Sequence, residues 1–251
     1  MRKLLIAISL GILLPITLLS AEKKQLIFYC GITMVKPMTE IAKIIEDKHN
    51  IKISISQGGS KDLYDSLAYS KKGDLYLPGS DSYINKYEDK GYFGRKELIG
   101  HNKAAIFVQK GNPKNIKGIA DLINDSTKTM LCDAEAGSIG KESKNILVNF
   151  KDEDFYYDVF DKAVILGTDS RNLNKALKDK IIDATINWKS TAFFPENKNF
   201  IDIVEIDENI AKPKKLVLTL LNFSQNKEIA NDLIDYAKSN EGQEILRRYG
   251  F

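Results

Sequence analysis

The sequence has few residues of the types that most often carry catalysis or bind metals. It contains only two cysteines, Cys30 and Cys132, and two histidines, His49 and His101. Neither pair has the spacing of a zinc site, and no Gly-x-Ser-x-Gly elbow is present. We therefore predict a protein that is not an enzyme and needs no cofactor, with both histidines on the surface. Free, buried cysteines are expected, with one disulfide as the alternative if the chain is exported.

Strong charge of either sign is also lacking, as are internal repeats and low-complexity linkers. The formal net charge of the 251 residues is +3, and two of the basic residues, Arg2 and Lys3, lie at the very start. Without them the charge is close to neutral. Composition therefore gives no electrostatic argument for binding nucleic acid or a membrane surface.

The first residues have the layout of a secretory signal peptide. Arg2 and Lys3 precede an uncharged run from Leu4 to Ala21, and charge returns at Glu22. A membrane anchor is the competing interpretation, but the run is near the minimum spanning length and contains Gly11 and Pro15. We predict that residues 1–21 are removed, which leaves a periplasmic protein that does not insert into the membrane.

From Gln25 onward, short β-rich runs alternate with segments of helical periodicity. "QLIFYC", "IKISIS" and "GDLYLP" predict strands of a first block, and "KTMLCD", "AVILGT" and "IDATINW" predict strands of a second. Strands followed by helices are typical of mainly parallel α/β sheets. We predict two lobes, residues 22–104 plus 208–251 and residues 105–207, joined by crossings near residues 101–108 and 204–215.

Helices are predicted between these strands. "MTEIAKIIEDKH" places Met38, Ile41, Ala42 and Ile45 on one face, and "DSYINKYEDKGYF" predicts a surface helix that Gly91 ends. Further helices are expected at "IKGIADLIND", "GKESKNILVNF" and "SRNLNKALKDK", and the chain should end in a helical segment.

Hydroxyl residues stand at several of the predicted strand–helix junctions. They are Thr33, Ser60 after Gly58 and Gly59, Ser138, and Ser170. One such residue is most simply a helix N-cap. Four of them in two blocks favour a shared anion site, because ligands gather at the carboxyl ends of parallel strands, where helix N-termini offer free N–H groups.

Other chemistry fits these loops poorly. "SQGGSK" is not a phosphate-binding Walker loop, and "AGSIGK" has Glu142 where that motif needs a hydroxyl. The acidic run Asp152–Asp154 could hold a metal, but a solvated helix start or loop explains it more simply.

The segment from "LIFYCGITMVKP" through "SQGGSKDLYDSL" and "GDLYLPGSDSY" resembles the periplasmic molybdate-type solute-binding proteins. The resemblance continues through "KAAIFVQKGNP" to "DATINW", where it also touches the accessory-colonisation-factor branch. It implies a type II periplasmic-binding-protein clamshell of two α/β lobes. By the same resemblance the ligand-contacting positions fall at Thr33, Ser60, Ile139 beside Ser138, a position near Leu173 after Asn172, and Trp188.

Three departures from the family pattern matter. Ile139 is bulkier than the usual alanine. Trp188 stands where the molybdate proteins have a tyrosine, and it offers only an indole N–H. Arg171, near the fourth loop, would suit a carboxylate or phosphate. The predicted ligand-binding set is Thr33, Gly59, Ser60, Ser138, Ile139, Ser170, Arg171, Asn172 and Trp188.

The resemblance implies a protein that captures a small anion and delivers it to an ABC transporter permease. Molybdate, tungstate and phosphorylated or carboxylated small molecules are all candidates. A periplasmic sensor or surface interaction protein with the same clamshell is the alternative. A monomer that contacts no nucleic acid is expected in either case.

Overall fold

A computed structural model describes residues 25–251, which contain ten strands and eight α-helices. The predicted signal peptide, residues 1–21, lies outside this range. The strands are β1 Gln25–Gly31, β2 Lys52–Gly58, β3 Leu75–Leu77, β4 Phe93–Asn102, β5 Ala104–Gln109, β6 Thr129–Cys132, β7 Ile165–Gly167, β8 Ala184–Trp188, β9 Ile201–Val204 and β10 Lys214–Leu221. The helices are α1 Val35–His49, α2 Ser60–Ser70, α3 Ser82–Lys86, α4 Ser138–Phe150, α5 Glu153–Lys162, α6 Ser170–Lys178, α7 Lys227–Lys238 and α8 Asn240–Arg248.

The strands form two five-stranded mixed sheets, with the orders β2-β1-β3-β10-β4 and β7-β6-β8-β5-β9. In the first sheet β1 pairs in parallel with β2 and β3, while β10 is antiparallel to β3 and β4. The second sheet repeats this pattern with β6 between β7 and β8 and with β5 as the antiparallel strand. Only one strand in each sheet therefore runs against the others, as expected for two mainly parallel α/β sheets flanked by helices.

The chain passes between the sheets twice. It leaves the first sheet at the end of β4, and β5 begins in the second sheet after a single residue, Lys103. It returns after β9 through residues 205–213 and enters the first sheet again as β10. The first sheet is thus built from two segments that are distant in sequence, and the second from the continuous stretch of chain between them.

Apolar helix faces cover each sheet. Met38, Ile41 and Ile45 of α1 are fully or almost fully buried against the first sheet, as their helical spacing predicts. Helices α7 and α8 join the same core, while α2 covers the opposite face with Leu63, Tyr64 and Leu67. A separate apolar core, which includes Phe107, packs the helices of the second sheet against its strands.

Several predicted elements differ from the observed ones. The segment "IKGIADLIND" forms only a short 3₁₀ helix, Ile119–Ile123, because Gly118 and Asn124 at its two ends have extended backbones. The surface helix before Gly91 is split into α3 and a 3₁₀ turn, Glu88–Lys90, and Gly91 ends that turn with φ +68°. Strands β4 and β9 and helix α5 were not predicted.

Both cysteines are free and buried, in agreement with the expectation. Cys30 lies in β1 of the first sheet and Cys132 in β6 of the second. Burial raises the pKa of both thiols, which keeps them protonated and disfavours either as a nucleophile. His101 is exposed as predicted, whereas His49 is partly buried against Asp232.

Candidate functional site

A small cavity lies where loops of the two sheets face each other. Its volume is about 20 Å³, a little more than the roughly 10–15 Å³ that a single water requires. All its walls follow the carboxyl ends of parallel strands or form the start of the next helix. The lining residues are Gly31, Ile32, Thr33, Gly58, Gly59, Ser60, Gly79, Gly137, Ser138, Ile139, Thr168, Asp169, Ser170 and Trp188.

Three helices begin at this cavity, each with a serine as its first residue. Ser60 opens α2, Ser138 opens α4 and Ser170 opens α6. The positive ends of three helix dipoles therefore point toward one small space, and this arrangement favours a negatively charged occupant.

These serines do not cap their helices. The N-cap positions of α2 and α4 are Gly59 and Gly137, and no side chain accepts a hydrogen bond from the first turn of either helix. Helix α6 is capped by Asp169 instead, which accepts from the backbone N–H groups of Arg171 and Asn172. Capping therefore does not account for the three hydroxyls.

The hydroxyls differ in what they already bind. Ser60 Oγ accepts from the backbone N–H of Gly79 at 3.1 Å, which leaves its own proton free to donate. Thr33 Oγ1 points its proton to the Met34 sulfur and lies 3.4 Å from the Asn102 amide nitrogen. The hydroxyls of Ser138 and Ser170 make no hydrogen bond within residues 25–251.

Trp188 adds one more donor. The residue is 2% exposed and ends β8, and its Nε1 lies close to Gly79 across the cavity. Within the described part of the chain the indole N–H has no acceptor. Like the serines, it can donate to a bound group, but unlike them it cannot accept from one.

The lining contains one charged residue, Asp169, which the sequence did not single out. Its Oδ1 accepts from two backbone N–H groups, and its Oδ2 lies 3.1 Å from the guanidinium of Arg171. Because both oxygens are already occupied, the carboxylate is largely neutralised by its own helix.

The cavity brings together seven of the nine predicted ligand-binding residues. Thr33, Gly59, Ser60, Ser138, Ile139, Ser170 and Trp188 all line it. Arg171 and Asn172 do not, because they follow Ser170 around the first turn of α6. The Asn172 carboxamide instead accepts from Thr168, and the Arg171 side chain is 55% exposed.

The neighbouring lysines also point away from the cavity. Lys61 is paired with Asp65 one turn further along α2. Lys141 is exposed and lies beside a different cavity, next to Glu142. The lining of the small cavity is therefore free of cationic side chains.

Sequence reasoning missed two residues that hold the site together. Gly79 follows β3 and touches the opposite wall, since a Cβ atom there would lie 2.3 Å from Ser138 Oγ. Asn102 is buried at the end of β4 and donates to the Gly79 carbonyl at 3.2 Å. No sequence signal identified Asn102, because β4, the strand that it ends, was not predicted.

Glu142 is the one strongly buried carboxyl near the cavity. It lies on α4 and pairs with Lys214 at the start of β10, at 3.0 Å. Burial raises the pKa of Glu142, while the hydrogen bond and charge of Lys214 oppose that shift. The pair joins a helix on the second sheet to a strand of the first.

The described residues hold no cluster of three or more His, Cys, Asp or Glu side chains that could bind a metal. Asp152 caps α5 by accepting from Phe155, and Glu153 pairs with Lys144. The acidic run is thus a helix start, as the simpler interpretation expected. None of the helices within residues 25–251 has both the length and the apolar character needed to span a bilayer.

Two mixed α/β sheets that face each other across a cavity define a type II periplasmic solute-binding fold. The model of the family described as bacterial extracellular solute-binding protein matches residues 26–251, and this chain belongs to that family. Members of the family are binding proteins, so the chain is a binding protein and not an enzyme.

The relatives agree with this class. A protein of Haemophilus influenzae with the general description of a binding protein is 23% identical over 99% of this chain and 98% of its own length. PEB3 of Campylobacter jejuni, solved with L-phospholactate, has a TM-score of 0.73 at 20% identity and covers 90% of this chain and 98% of its own. The substrate-binding domain assigned to a molybdenum ABC transporter of Clostridium difficile has a TM-score of 0.66 at 18% identity, covering 90% and 97%.

Proposed function

We propose that this protein captures a small oxyanion, either free or as the phosphate of a small organic molecule, in the cavity between its two sheets. The observation that carries the proposal is the meeting of three helix N-termini at one cavity. Two serine hydroxyls and an indole N–H of that cavity have no acceptor within the described residues. A bound oxyanion would supply acceptors for all of them.

The charge of the cavity lining supports an anionic occupant. Its donors are neutral, and the carboxylate of Asp169 is already occupied by α6. Neutral hydroxyl and N–H donors can hold an oxyanion without neutralising it, since the helix dipoles supply favourable potential. The relatives give independent support, because one was solved with L-phospholactate and another is assigned to molybdenum transport.

We further propose that the protein works outside the cytoplasm after loss of residues 1–21 and delivers the anion to an ABC transporter permease. The two lobes would be residues 22–104 plus 208–251 and residues 105–207, hinged where the chain passes between the sheets. Binding would draw the lobes together, and the permease would recognise that form. The extracellular character of the family supports this location.

A thermal-unfolding panel tests the proposal. The mature protein is heated with molybdate, tungstate, sulfate, phosphate, organic phosphates and dicarboxylates. A ligand at about 100 times its Kd should add roughly 2.7 kcal/mol to the free energy of unfolding. For a chain of this size that is a rise in Tm of about 5–10 °C. If no oxyanion or organic phosphate raises Tm, the proposal is wrong.

The site itself is tested with Ser138→Ala and Ser60→Ala. Removing a hydroxyl that donates to a charged ligand should weaken binding by about tenfold or more, because such hydrogen bonds contribute roughly 1.5–3 kcal/mol. Ser126→Ala is the matched control, since Ser126 is exposed and away from the cavity. If titration calorimetry finds the same Kd for Ser138→Ala and the parent, the cavity is not the binding site.

A further inference from the structure

A second, larger cavity adjoins the small one. Its volume is about 340 Å³, and Ile32 lines both spaces. One wall is the exposed side of α6, which begins at the small cavity with Ser170 and presents Arg171 to the larger one. The start of α1, Gln57 and residues in the range 191–197 line the rest of it. The two cavities therefore meet at Ile32 and at the first turn of α6.

The larger cavity is basic, in contrast to the small one. Lys36, Arg171, Lys175 and Lys178 line it, and Glu196 is its single acidic lining residue. We call it the basic cavity. The small cavity would hold one negative group of the ligand with its neutral donors. The excess of cationic side chains in the basic cavity would attract a second negative group of the same ligand.

The cations differ in how far they are already paired. Lys178 forms no ion pair with any of residues 25–251; it lies 5.3 Å from the centre of the Phe200 ring. The guanidinium of Arg171 is anchored by Asp169, but most of its N–H groups remain free. Lys36 is paired with Glu196 at 2.9 Å, and exposed pairs of this kind contribute little to stability.

We propose that the ligand carries two acidic groups on one short organic frame. Its phosphate or equivalent oxyanion occupies the small cavity, and a carboxylate lies in the basic cavity against Arg171 and Lys178. A planar guanidinium suits a carboxylate because it can donate two parallel hydrogen bonds. This inference rests on the proposed function and adds the class of substrate, a phosphorylated carboxylic acid.

The test compares probes that differ only in the second acidic group. Phosphoglycolate and phosphopropionate carry a phosphate and a carboxylate, whereas ethyl phosphate and propyl phosphate carry the phosphate alone. Kd values are measured by titration calorimetry with the mature protein. The carboxylate should improve the affinity of at least one matched pair by about tenfold or more, the range expected for a charge-assisted hydrogen bond.

The double variant Arg171→Gln/Lys178→Gln tests whether these two side chains cause the preference for a carboxylate. In this variant the ratio of the Kd values of two matched probes should fall to near one. Its affinity for inorganic phosphate should fall by a smaller factor than its affinity for the probes with a carboxylate. Lys117→Gln is the control, because Lys117 is exposed, loses the same kind of charge and lies outside both cavities. Unfolding curves of the ligand-free variants verify that both fold.

The outcomes separate this inference from the proposed function. If inorganic oxyanions or alkyl phosphates bind but the carboxylate adds nothing, the inference is overturned and the proposed function stands. The inference is likewise overturned if the double variant keeps the full preference of the parent. If no oxyanion or phosphate binds at all, the proposed function fails and this inference fails with it.

Discussion

At the scale of single residues, the position of a serine relative to its helix decides what its hydroxyl can do. Ser60 and Ser138 are the first residues of their helices, one place beyond the glycine N-caps. In the N-cap position the hydroxyl oxygen would bind the first turn of the helix. One residue further along, Ser138 keeps its hydroxyl available for a ligand.

Trp188 gives a direct readout of the cavity because it is the single tryptophan of the chain. An anion that accepts from its indole N–H should change the intensity or wavelength of the intrinsic fluorescence. Trp188→Phe should abolish that signal and weaken binding by about tenfold, since one donor to a charged group is lost. A fluorescence titration run beside calorimetry measures both effects.

The fluorescence titration can also contradict this placement. If an anion raises Tm strongly but leaves the emission of Trp188 unchanged, then the indole does not face the bound ligand.

At the scale of helices and strands, the sequence was informative where periodicity is strong and one face is buried. Helix α1 and strands β1 and β2 follow their patterns closely. Strand β4 was missed because "FGRKELIGHN" mixes polar and charged residues on a half-exposed strand. The pattern "IKGIADLIND" looked helical, yet only five of its residues form a short 3₁₀ helix.

The first turn of α4 is packed tightly on the loop that follows β6. A Cβ atom at Gly140 would lie 1.9 Å from the carbonyl oxygen of Asp133, a backbone atom that cannot rotate away. Gly140→Ala should therefore lower the free energy of unfolding by roughly 1–3 kcal/mol, as forced overpacking does. Denaturant unfolding measures this loss.

Gly118→Ala is the matched control, because nothing lies within 4 Å of its added Cβ and the backbone there is extended. Equal stability of the Gly140→Ala variant and the control would contradict the packing of α4 against Asp133.

A carboxylate on α7, that of Asp232, joins this helix to α1 through two side chains at the end of α1. Asp232 lies 2.6 Å from His49 Nε2 and 2.7 Å from Lys48 Nζ. The hydrogen bond with His49 lowers the pKa of Asp232 most, and the hydrogen bond with Lys48 lowers it further. Because folding lowers this pKa, Asp232 stabilises the fold at pH values above its unfolded pKa near 3.8. This contribution is lost as the pH falls through the pKa of Asp232 in the folded protein.

Asp232→Asn should therefore cost about 0.5–1 kcal/mol of stability near neutral pH and progressively less as the pH falls below the unfolded pKa near 3.8. Urea unfolding at several pH values measures the difference from the parent. Asp161→Asn is the control, since Asp161 is exposed and forms no ion pair with the described residues. A loss that is the same at every pH would show that the charge of Asp232 is not its cause.

At the scale of the whole molecule, the two sheets approach each other closely at Gly79 and Ser138. A Cβ atom at Gly79 would lie 3.4 Å from that of Ser138, near the separation found in disulfides. The double variant Gly79→Cys/Ser138→Cys should therefore cross-link on mild oxidation. Cys30 and Cys132 are buried and should not compete.

The cross-linked protein should have the radius of gyration of the ligand-saturated parent in solution scattering. An added anion should raise its Tm less than that of the parent, because Ser138 is replaced and its hydroxyl can no longer donate to the anion. The two single variants are the controls. Failure to cross-link, or a larger radius than that of the saturated parent, would contradict a ligand-bound form with this arrangement of the sheets.

The sequence by itself determined the α/β class, the two blocks of strands, the family and the hydroxyl residues at the strand–helix junctions. These follow from hydrophobic period and local motifs, which depend on residues close together in the chain. Only the tertiary structure decided which side chains share a cavity. It set Ser170 and Arg171 on different cavities and brought Gly79 against Ser138, because side-chain direction depends on the phase of each helix and on how two distant sheets meet.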